Sequence, residues 1–466
     1  MMPLTTLAMA GITHASLHRH LFPGDGKEAA AVLVCVPSPG PRDRLVVRHA
    51  LTVPHEACSN RSPVSITWPG RYIEDAIDLA ESEELVIVLL HSHPGGWLDF
   101  SWVDNESDAR VLPGIFQAFG GRHGSAVMTP DGAVRARLYG PDMSIRPIDL
   151  VTVAGDDIHY WWNDGIIDGR LQTSAMAFTS GMTKQLARLS AAVIGVSGTG
   201  SIVAEQIARL GFGRVVLIDP DSVEGKNLNR ILNSTTADAQ DRRKKVEMFA
   251  AAIRSYRGAD VPVALGTSIG ERDAVQAVGR CDVIFSCVDS QEGRQIADLI
   301  AAAFVLPLFD VGVVIPTIDN DGVPEIIDVC GRIDYIQPGG STLADRGVYT
   351  QEGLRAELLL QTDPDAYRDE VAEGYIKGFA DEAPSVITLN MRAASAVVNE
   401  FIARTHRFRH DPNRLYARTR FSLAACDEDH YSEDSFQSGE NGLLARGATE
   451  PLLGLPMLQL PRRRAA

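Results

Sequence analysis

The segment AAVIGVSGTGSIVAEQIARLGFGRVVLIDPDSVEGKNLNR, residues 191–230, decides the fold of the C-terminal half of the chain. The apolar run AAVI leads into a glycine-rich turn, and a helical pattern follows it. A second apolar run, VVLI, ends in Asp219. Apolar strands separated by helices indicate a mostly parallel sheet that is covered on both faces. We therefore expect a doubly wound α/β domain from residue 183 onward.

The glycine-rich turn has the properties of a phosphate-binding loop. Gly195, Gly198 and Gly200 would let the backbone approach a phosphate, and free N–H groups at the start of a helix favour an anion. Asp219 ends the next strand, at a position where an acid can bind ribose hydroxyls. Taken alone, these features would favour a NAD-dependent oxidoreductase.

The residues after the loop favour ATP over NAD. Asp221, Asn227 and Arg230 follow the second strand, and Lys245 and Asp289 come later. Hydride transfer does not require an Arg and a Lys beside the phosphates. Expulsion of pyrophosphate does, because negative charge accumulates on the leaving phosphates. An acid such as Asp289 can hold Mg²⁺ there.

These residues resemble the ubiquitin-activating E1 and ThiF/MoeB/HesA adenylation family, whose run is DxDxVExxNLNR followed by a Lys and a later Asp. The resemblance covers about residues 183–425 and implies a Rossmann-like fold. It implies that Asp219 binds the ribose of ATP, that Arg230 and Lys245 contact the triphosphate, and that Asp289 binds Mg²⁺. The implied reaction is adenylation of the C-terminal glycine of a ubiquitin-like protein by a homodimeric enzyme. The full expected nucleotide site is Gly195, Gly198, Gly200, Asp219, Asp221, Asn227, Arg230, Lys245 and Asp289.

The N-terminal part of the chain contains short β-rich runs and a helical pattern over 71–83. This combination predicts an α+β domain with a helix against a curved sheet. A second group of candidate site residues lies in this part. His91 and His93 end an apolar strand, and Ser101 and Asp104 follow in the spacing HxHP-x6-SxxD. Two imidazoles and one carboxylate form a three-ligand zinc site whose fourth position is left for water. Ser101 could donate a hydrogen bond to an oxyanion, and a nearby Glu would serve as the base.

This spacing resembles the JAB1/MPN/Mov34 (JAMM) metalloenzyme family. The resemblance implies a cytidine-deaminase-like fold, zinc ligands at His91, His93 and Asp104, and cleavage of isopeptide bonds at the C-terminus of ubiquitin-like proteins. The family also has a distant Glu that activates water. Glu28, before the strand AAAVLV, is the best placed, and Glu74 is the alternative.

The chain departs from its adenylating relatives in its cysteines. Relatives often bind a structural zinc through two CxxC pairs, and none of the six cysteines here forms such a pair, so we expect no zinc in the adenylation domain. Residues 341–385, where relatives usually carry the thioester cysteine, contain none. We expect Cys281, Cys287 and Cys330 to be core thiols, and the acceptor candidates are Cys426, Ser341 and Thr342. Arg170 and Arg188 are candidates for the Arg that relatives send to a partner's ATP site.

Length and charge limit the remaining possibilities. The 466 residues allow two or three domains, and we expect a JAMM domain over 1–150, a linker over 151–182, the adenylation domain over 183–425 and a polar tail over 426–466. The net charge of −16 argues against binding to nucleic acid or to an anionic membrane. Scattered cysteines and the lack of a long apolar stretch favour a cytoplasmic protein.

The combined hypothesis is a bifunctional enzyme of a bacterial ubiquitin-like conjugation system. One domain would adenylate a ubiquitin-like modifier with ATP and Mg²⁺, and the other, with Zn²⁺, would mature or remove it, with an E2-like protein as a further partner. Two alternatives remain open. The first is processing and activation of a sulfur-carrier protein, and the second is a nucleotide-binding scaffold with one or both sites inactive.

Overall fold

The computed structural model describes residues 2, 4–38, 40–172, 175–320, 323–373 and 386–460. The chain divides into two compact units. The N-terminal unit consists of Pro3–Ser174, Ala302–Val305 and Gly442–Ala466, and the C-terminal unit consists of Met1–Met2, Ala175–Ala301 and Leu306–Asn441.

The N-terminal unit is built on one large mixed sheet with three helices. Its elements in chain order are β1 (Thr5–Ala10), α1 (Gly11–Leu21), β2 (Ala30–Ser38), β3 (Asp43–Thr52), β4 (Asn60–Ser62), β5 (Ser65–Thr67), α2 (Arg71–Ala80), β6 (Val86–Ser92), α3 (Trp102–Ala118), β7 (His123–Met128), β8 (Val134–Tyr139), β9 (Ile145–Pro147), β10 (Leu150–Ala154), β11 (Ile158–Trp162), β12 (Ile166–Ile167) and β13 (Arg170–Leu171). The nine strands of the sheet run in the order β11-β10-β1-β3-β2-β6-β7-β8-β9.

Both faces of this sheet are covered. Leu33 and Cys35 of β2 share a core cluster with Leu17 of α1, whereas the alternate residue Val34 packs in a cluster that includes Ala76 of α2 and Leu112 of α3. Strands buried on both faces read as continuous apolar runs, and this explains the sequence of β2 and β6. The α+β expectation and the helix predicted over 71–83 are confirmed by α2, which continues as a short 3₁₀ turn at Glu81–Glu83.

The structure differs from the sequence expectation over 151–182, where we expected a linker. Here β10 pairs in parallel with β1 and antiparallel with β11, so the large sheet continues well beyond residue 150. Strands of five residues are too short to show a clear period, and the polar turn Gly155–Asp157 between them reads as loop. The boundary between the two units lies after residue 174.

The expected polar tail over 426–466 also differs from the structure. Residues up to 441 belong to the C-terminal unit and those from 442 onward to the N-terminal unit. Ala445 lies in the core cluster with Val34, and a side chain at Gly447 would meet Val36 and Val46 at 3.1 and 3.4 Å. Residues 461–466 lie outside the described part of the chain.

Between residues 175 and 441 strands alternate with helices. The elements are α4 (Ser180–Leu186), β14 (Ser190–Ile194), α5 (Gly198–Leu210), β15 (Arg214–Ile218), α6 (Thr236–Gln240), α7 (Lys245–Arg257), β16 (Pro262–Leu265), α8 (Arg272–Gly279), β17 (Val283–Ser286), α9 (Gln291–Phe304), β18 (Leu308–Val314), β19 (Thr317–Asn320), β20 (Val323–Ile326), β21 (Cys330–Ile336), α10 (Gln351–Thr362), α11 (Pro364–Ala372), α12 (Ile387–Thr405), β22 (Arg418–Ser422) and β23 (Asp427–Tyr431). The sheet order is β16-β15-β14-β17-β18-β21-β22-β23.

The doubly wound fold predicted for this part is confirmed. Strands β16, β15, β14, β17 and β18 are parallel, and β21, β22 and β23 continue the sheet antiparallel. The order of the strands along the chain reverses between β14 and β17. In open α/β sheets this switch point opens a crevice at the carboxyl ends of the strands. Among the described residues, no helix is both long and apolar enough to cross a membrane.

A buried ionic cluster joins the antiparallel strands. Asp334 on β21 is fully buried and accepts hydrogen bonds from Arg332, from Arg346 at 3.0 Å and from Arg418 at 2.8 Å. Arg346 also donates to Glu433 at 2.7 Å. Burial lowers the pKa of Arg346 to about 10, so this guanidinium remains charged at neutral pH. Asp334 is thus a counter-charge shared by three cations, of which Arg332 also pairs with Asp310 and Arg346 with Glu433.

We predict that Asp334→Asn destabilises the C-terminal unit by about 3–5 kcal/mol, because it removes the buried counter-charge that Arg332, Arg346 and Arg418 share. Urea titration followed by circular dichroism reports both units. Tryptophan fluorescence reports the N-terminal unit alone, since all five tryptophans lie between residues 68 and 162. In Asp334→Asn the urea midpoint measured by circular dichroism should be lower than in the wild type, whereas the midpoint measured by tryptophan fluorescence should not change.

The matched control is Arg368→Ala on α11, which breaks the exposed pair between Arg368 and Asp365. Exposed pairs contribute about 0–1 kcal/mol, so its urea midpoint should stay close to that of the wild type. Equal shifts for the two variants would contradict the importance of the buried cluster.

Candidate functional sites

The first site lies where β6 ends and α3 begins. His91 is near the end of β6, His93 follows that strand, and Asp104 is in the first turn of α3. The His91 Nε2 atom lies 3.0 Å from His93 Nε2 and 3.0 Å from Asp104 Oδ1, and His93 Nε2 lies 3.5 Å from Asp104 Oδ2. One ligand atom of each of the three residues lies within 4.8 Å of the others. The structure therefore brings together the three residues predicted as zinc ligands.

Two interactions orient these side chains. The Nδ1 atom of His93 lies 2.7 Å from the Trp97 carbonyl oxygen, so Nδ1–H donates and Nε2 is left with its lone pair toward the cluster. Asp104 forms a capping box with Ser101, in which Ser101 N donates to Asp104 Oδ2 at 2.6 Å and Asp104 N donates to Ser101 Oγ at 3.3 Å. The start of α3 thus fixes the carboxylate that faces both imidazoles.

Glu28 lies beside this cluster, immediately before β2. Strand β2 pairs with β6 in a register that places Ala30 opposite His91, and Glu28 is two residues before that pair. Burial raises the pKa of Glu28, while the charges of His91 and His93 act to lower it. The alternative base, Glu74, is exposed on α2. The structure therefore favours Glu28 over Glu74 as the carboxylate of this site.

The donor set fits zinc. Two imidazole nitrogens and one carboxylate oxygen are a ligand set found in catalytic zinc sites, where three protein ligands leave the fourth position to water. Burial raises the pKa of Asp104, but its close contacts with His91 and His93 and the hydrogen bond from Ser101 N outweigh burial and hold the pKa well below its usual range. Asp104 is therefore an anion at neutral pH and suits a divalent cation.

The second site is a cavity of about 420 Å³ in the C-terminal unit, at the carboxyl ends of β14, β15 and β17. Most of the residues predicted for the nucleotide site line this cavity. These are Gly195, Gly198, Asp219, Asp221, Arg230, Lys245 and Asp289.

The glycine loop is packed too closely for larger residues. Gly195 has a φ of +82°, and a Cβ atom there would lie 2.9 Å from the Cys287 carbonyl oxygen. A Cβ atom on Gly200 would overlap the Gly195 carbonyl oxygen. Gly200 does not line the cavity, and its role is to let α5 start against the loop.

Acidic and basic groups meet at one side of the cavity. Asp219 accepts hydrogen bonds from the backbone N–H groups of Val196 and Asp221 at 2.8 and 2.9 Å. Lys245 Nζ donates to Asp221 at 2.9 Å and lies 3.8 Å from Asp219. Burial raises the pKa of Asp219, and the charge of Lys245 opposes that rise. The ammonium group of Lys245 is nearly buried and lies in the wall of the cavity.

Three further predicted residues have distinct positions. Arg230 lies against Gly198 and donates to the Lys226 carbonyl oxygen at 3.0 Å. Asp289 is exposed at the cavity rim. Asn227 does not line the cavity. Its side chain accepts a hydrogen bond from Glu224 N at 3.0 Å and closes a capping box, which shapes the loop that carries Arg230.

The structure adds residues that the sequence did not assign to the site. Asn390 of α12 lies at the cavity wall, where a Cβ atom on Gly198 would overlap its amide nitrogen. Arg294 of α9 also lines the cavity, with its Nε atom 3.7 Å from the buried Asp310. No local pattern could have assigned Asn390, because it is one of several polar residues on α12 and lies far along the chain from the glycine loop.

The thiols and hydroxyls occupy different environments. Cys281 is buried as expected, Cys287 is half-buried at the cavity wall, Cys330 is half-buried at the start of β21, and Cys426 is exposed in the turn between β22 and β23. Ser341 is fully buried and its hydroxyl accepts from Arg346 at 2.8 Å, whereas Thr342 is half-buried. Arg170 and Arg188 are outside the lining of the cavity.

Comparison with known families agrees with both halves of this description. Residues 12–139 match the family of prokaryotic homologs of the JAB domain, and residues 171–402 match the ThiF family. The chain therefore contains a JAB domain followed by a ThiF domain of the E1-like adenylation type.

Curated relatives match through part of their length. The ubiquitin-like modifier-activating enzyme 5 of Culex quinquefasciatus is 31% identical over 169 residues, which are 34% of this chain and 39% of the relative. The enzyme of the same name from Bombyx mori is 29% identical over 203 residues, which are 38% of this chain and 48% of the relative. The chain thus spans less than half the length of these relatives.

Solved structures are more distant. Escherichia coli MccB in complex with ATP is 16% identical with a TM-score of 0.40, and the match covers 57% of this chain and 68% of that one. A second structure of MccB, with N-formylated MccA, has a TM-score of 0.42 at 16% identity, covering 57% and 70% of the two chains.

We predict that purified protein binds about one equivalent of zinc. His93→Ala should lose this zinc, because the two remaining ligands cannot hold the ion when free zinc is nanomolar. Metal analysis by mass spectrometry after dialysis measures this. The control is His18→Ala, whose ring contacts the Pro130 carbonyl oxygen in the same unit and should leave the zinc content unchanged. Equal zinc in all three proteins would contradict the site.

Proposed function

We propose that this chain is a bifunctional enzyme of a bacterial ubiquitin-like conjugation system. The C-terminal unit would adenylate the C-terminal glycine of a ubiquitin-like modifier with ATP and Mg²⁺. The N-terminal unit would be a zinc isopeptidase that matures the modifier or releases it from targets. The observation that carries the proposal is the presence, in one chain, of the His91, His93 and Asp104 cluster and of a cavity lined by Lys245 and Asp289.

Adenylation requires a site that tolerates charge on phosphate. The terminal carboxylate of the modifier attacks the α-phosphorus of ATP, an acyl–phosphate bond forms, and the bond from that phosphorus to the bridging oxygen breaks as pyrophosphate leaves. Lys245 and Arg230, both in the cavity wall, offset the negative charge that develops on the leaving group. Asp219 would bind the ribose hydroxyls, and Asp289 would hold the Mg²⁺ that accompanies the phosphates.

Isopeptide hydrolysis requires a base, an oxyanion donor and a metal. A zinc ion held by His91, His93 and Asp104 would act as a Lewis acid and lower the pKa of water. Glu28, buried beside these residues, accepts a proton from the attacking water and returns it to the departing lysine amine. The hydroxyl of Ser101 accepts from Asp104 N and keeps its own proton for donation to the oxyanion.

The two activities act on the same chemical group, the terminal carboxylate of one modifier. One unit converts it into an activated acyl group, and the other regenerates it from an amide. The adenylate then passes to a nucleophile, and the exposed Cys426 is the most accessible of the three acceptor candidates. Full burial of Ser341 disfavours it as an acceptor. An E2-like partner and a homodimer belong to this proposal as well.

We predict that Lys245→Ala weakens binding of ATP with Mg²⁺ at least ten-fold, because Asp219 and Asp221 would then face the nucleotide without a counter-charge. Isothermal titration calorimetry measures the affinity. The control is Lys226→Ala, which removes an exposed ammonium group from the neighbouring loop and should bind ATP as the wild type does.

The adenylation step has its own test in ATP–pyrophosphate exchange with a panel of ubiquitin-like proteins. Exchange should depend on the modifier and fall at least 100-fold in Asp289→Ala. Wild-type protein that exchanges no pyrophosphate with any such modifier would refute the proposed activation.

We predict that Glu28→Gln keeps its zinc and loses at least 100-fold in kcat for isopeptide cleavage, because the amide cannot accept a proton from water. The substrate is a quenched fluorescent peptide in which a Gly-Gly tail is joined to the ε-amino group of a lysine. Glu74→Gln is the matched control, since that carboxylate is exposed on α2. A larger loss in the control would transfer the role to Glu74.

A further inference from the structure

A buried arginine contacts the beginning of α3 at three points. Arg137 lies on β8 and retains 7% of its surface. Its Nη1 atom donates to Asn105 Oδ1 at 2.6 Å, and its Nη2 atom donates to Asp108 Oδ2 at 2.8 Å. Its guanidinium carbon also lies 3.7 Å from the centre of the Phe100 ring. One side chain of the sheet therefore binds the residue before the helix and two residues in its first half.

These contacts bracket the two residues of this segment that belong to the zinc site. Ser101 and Asp104 lie between Phe100 and Asn105 in the chain, and Asp104 is the direct neighbour of Asn105. Asp108 lies one helical turn after Asp104. The backbone on both sides of the zinc ligand is therefore attached to β8 through Arg137.

The guanidinium group is itself held by the sheet. Arg137 lies directly opposite Ser125 of β7, and its Nε atom donates to Ser125 Oγ at 3.1 Å. The Ser125 hydroxyl donates in turn to Asp108 Oδ2 at 2.5 Å, and the Tyr139 hydroxyl donates to the same oxygen at 2.8 Å. Each of the three guanidinium nitrogens thus has an acceptor. A planar group bound on all sides in this way has one orientation, and it transmits that orientation to α3.

The chemistry of this contact favours a role in geometry. Arg137 and Asp108 form an ion pair that is buried on both sides. A buried ion pair contributes little net stability compared with apolar side chains of similar volume, because both charges lose their hydration. It does impose direction, since its hydrogen bonds form only at defined distances and angles. A precise placement of α3 therefore explains the pair better than stability does.

We propose that Arg137 is a positioning residue of the zinc site, which sets the first turn of α3 so that Asp104 faces both imidazoles and Ser101 keeps its place as oxyanion donor. This inference rests on the zinc isopeptidase proposed above. Arg137 is not a ligand, because a guanidinium group stays protonated and has no lone pair to offer. It acts through α3, and groups that orient metal ligands in this way commonly change metal affinity by about 10- to 100-fold.

The test measures the zinc affinity of the full chain by competition with a chromophoric chelator. Arg137→Met keeps an apolar stem in the same space and removes every donor. We expect its dissociation constant for zinc to rise at least ten-fold, because Asp104 is then no longer held toward the imidazoles. In the same variant saturated with zinc, kcat for the isopeptide substrate should fall at least ten-fold while KM stays within two-fold, since Ser101 moves with the same turn.

Leu138→Ala is the matched control for lost stability. Leu138 is the next residue of β8, and its buried side chain lies in the core cluster that contains Leu17 of α1, on the other face of the sheet. This variant should have a lower melting temperature and a zinc affinity within two-fold of the wild type. If it weakens zinc binding as much as Arg137→Met does, the effect is one of stability and the proposal is overturned.

Asn105→Ala decides the case in which Arg137→Met does not fold. Asn105 is exposed, so this variant keeps the core and loses only the hydrogen bond beside Asp104. Its zinc affinity should fall at least three-fold. The proposal is overturned if the affinity of Arg137→Met falls by less than ten-fold or, where that variant does not fold, if the affinity of Asn105→Ala falls by less than three-fold.

The zinc measurement separates this inference from the proposed activity, because it does not depend on catalysis. If the wild type binds zinc and cuts no isopeptide, yet Arg137→Met weakens zinc binding at least ten-fold, the isopeptidase proposal fails and the positioning role stands. If the wild type cuts the isopeptide and Arg137→Met binds zinc as the wild type does, the activity stands and this inference fails. A wild type that binds no zinc overturns both.

Discussion

The carboxylate of Asp104 takes part in two structures at once. Its Oδ2 atom accepts from Ser101 N and so closes the capping box that starts α3, and both of its oxygens face the imidazoles of His91 and His93. A change that unwinds the first turn of α3 therefore also displaces a ligand, and a change of ligand charge also weakens the helix start. The end of β6, the start of α3 and the Trp97 loop are held to one centre by this interaction and by the bond from His93 to the Trp97 carbonyl.

The C-terminal unit uses an aspartate in a comparable way. Asp219 accepts a hydrogen bond from Val196 N in the glycine loop and another from Asp221 N in the turn that follows β15. Lys245 forms ion pairs with both Asp219 and Asp221. A group expected to bind ribose therefore also holds the loop that would cradle phosphate. Both units place chemistry where a buried strand ends, because the last backbone groups of such a strand need polar partners and small side chains let the chain turn.

Much of both sites could be predicted from the sequence, because their residues are local in the chain. The spacing HxHP-x6-SxxD fixes which side chains share a strand end and a helix start, and the structure brings His91, His93 and Asp104 together. Site residues that come from elements distant in the chain could not be predicted from local sequence patterns. Asn390 reaches the cavity from α12, and nothing near it in the chain marks it as different from other polar residues on helices. Strand pairing over 150–162 was missed because β10 is buried at every position and so shows no alternation, and the short edge strand β11 follows it after a polar turn.

The segment Gly442–Leu460 has a consequence for how this protein comes into being. Its residues complete the N-terminal unit, with Ala445 in the same apolar cluster as Val34 of β2, although more than 400 residues separate them in the chain. A ribosome therefore releases this part of the first unit only after the whole second unit has emerged. Until then the apolar strip along Val36 and Val46 lacks its cover. The N-terminal unit is thus completed after the C-terminal one. A nascent chain cut short near residue 441 would carry the C-terminal unit beside an incomplete N-terminal unit, whose uncovered apolar surface chaperones and proteases can recognise.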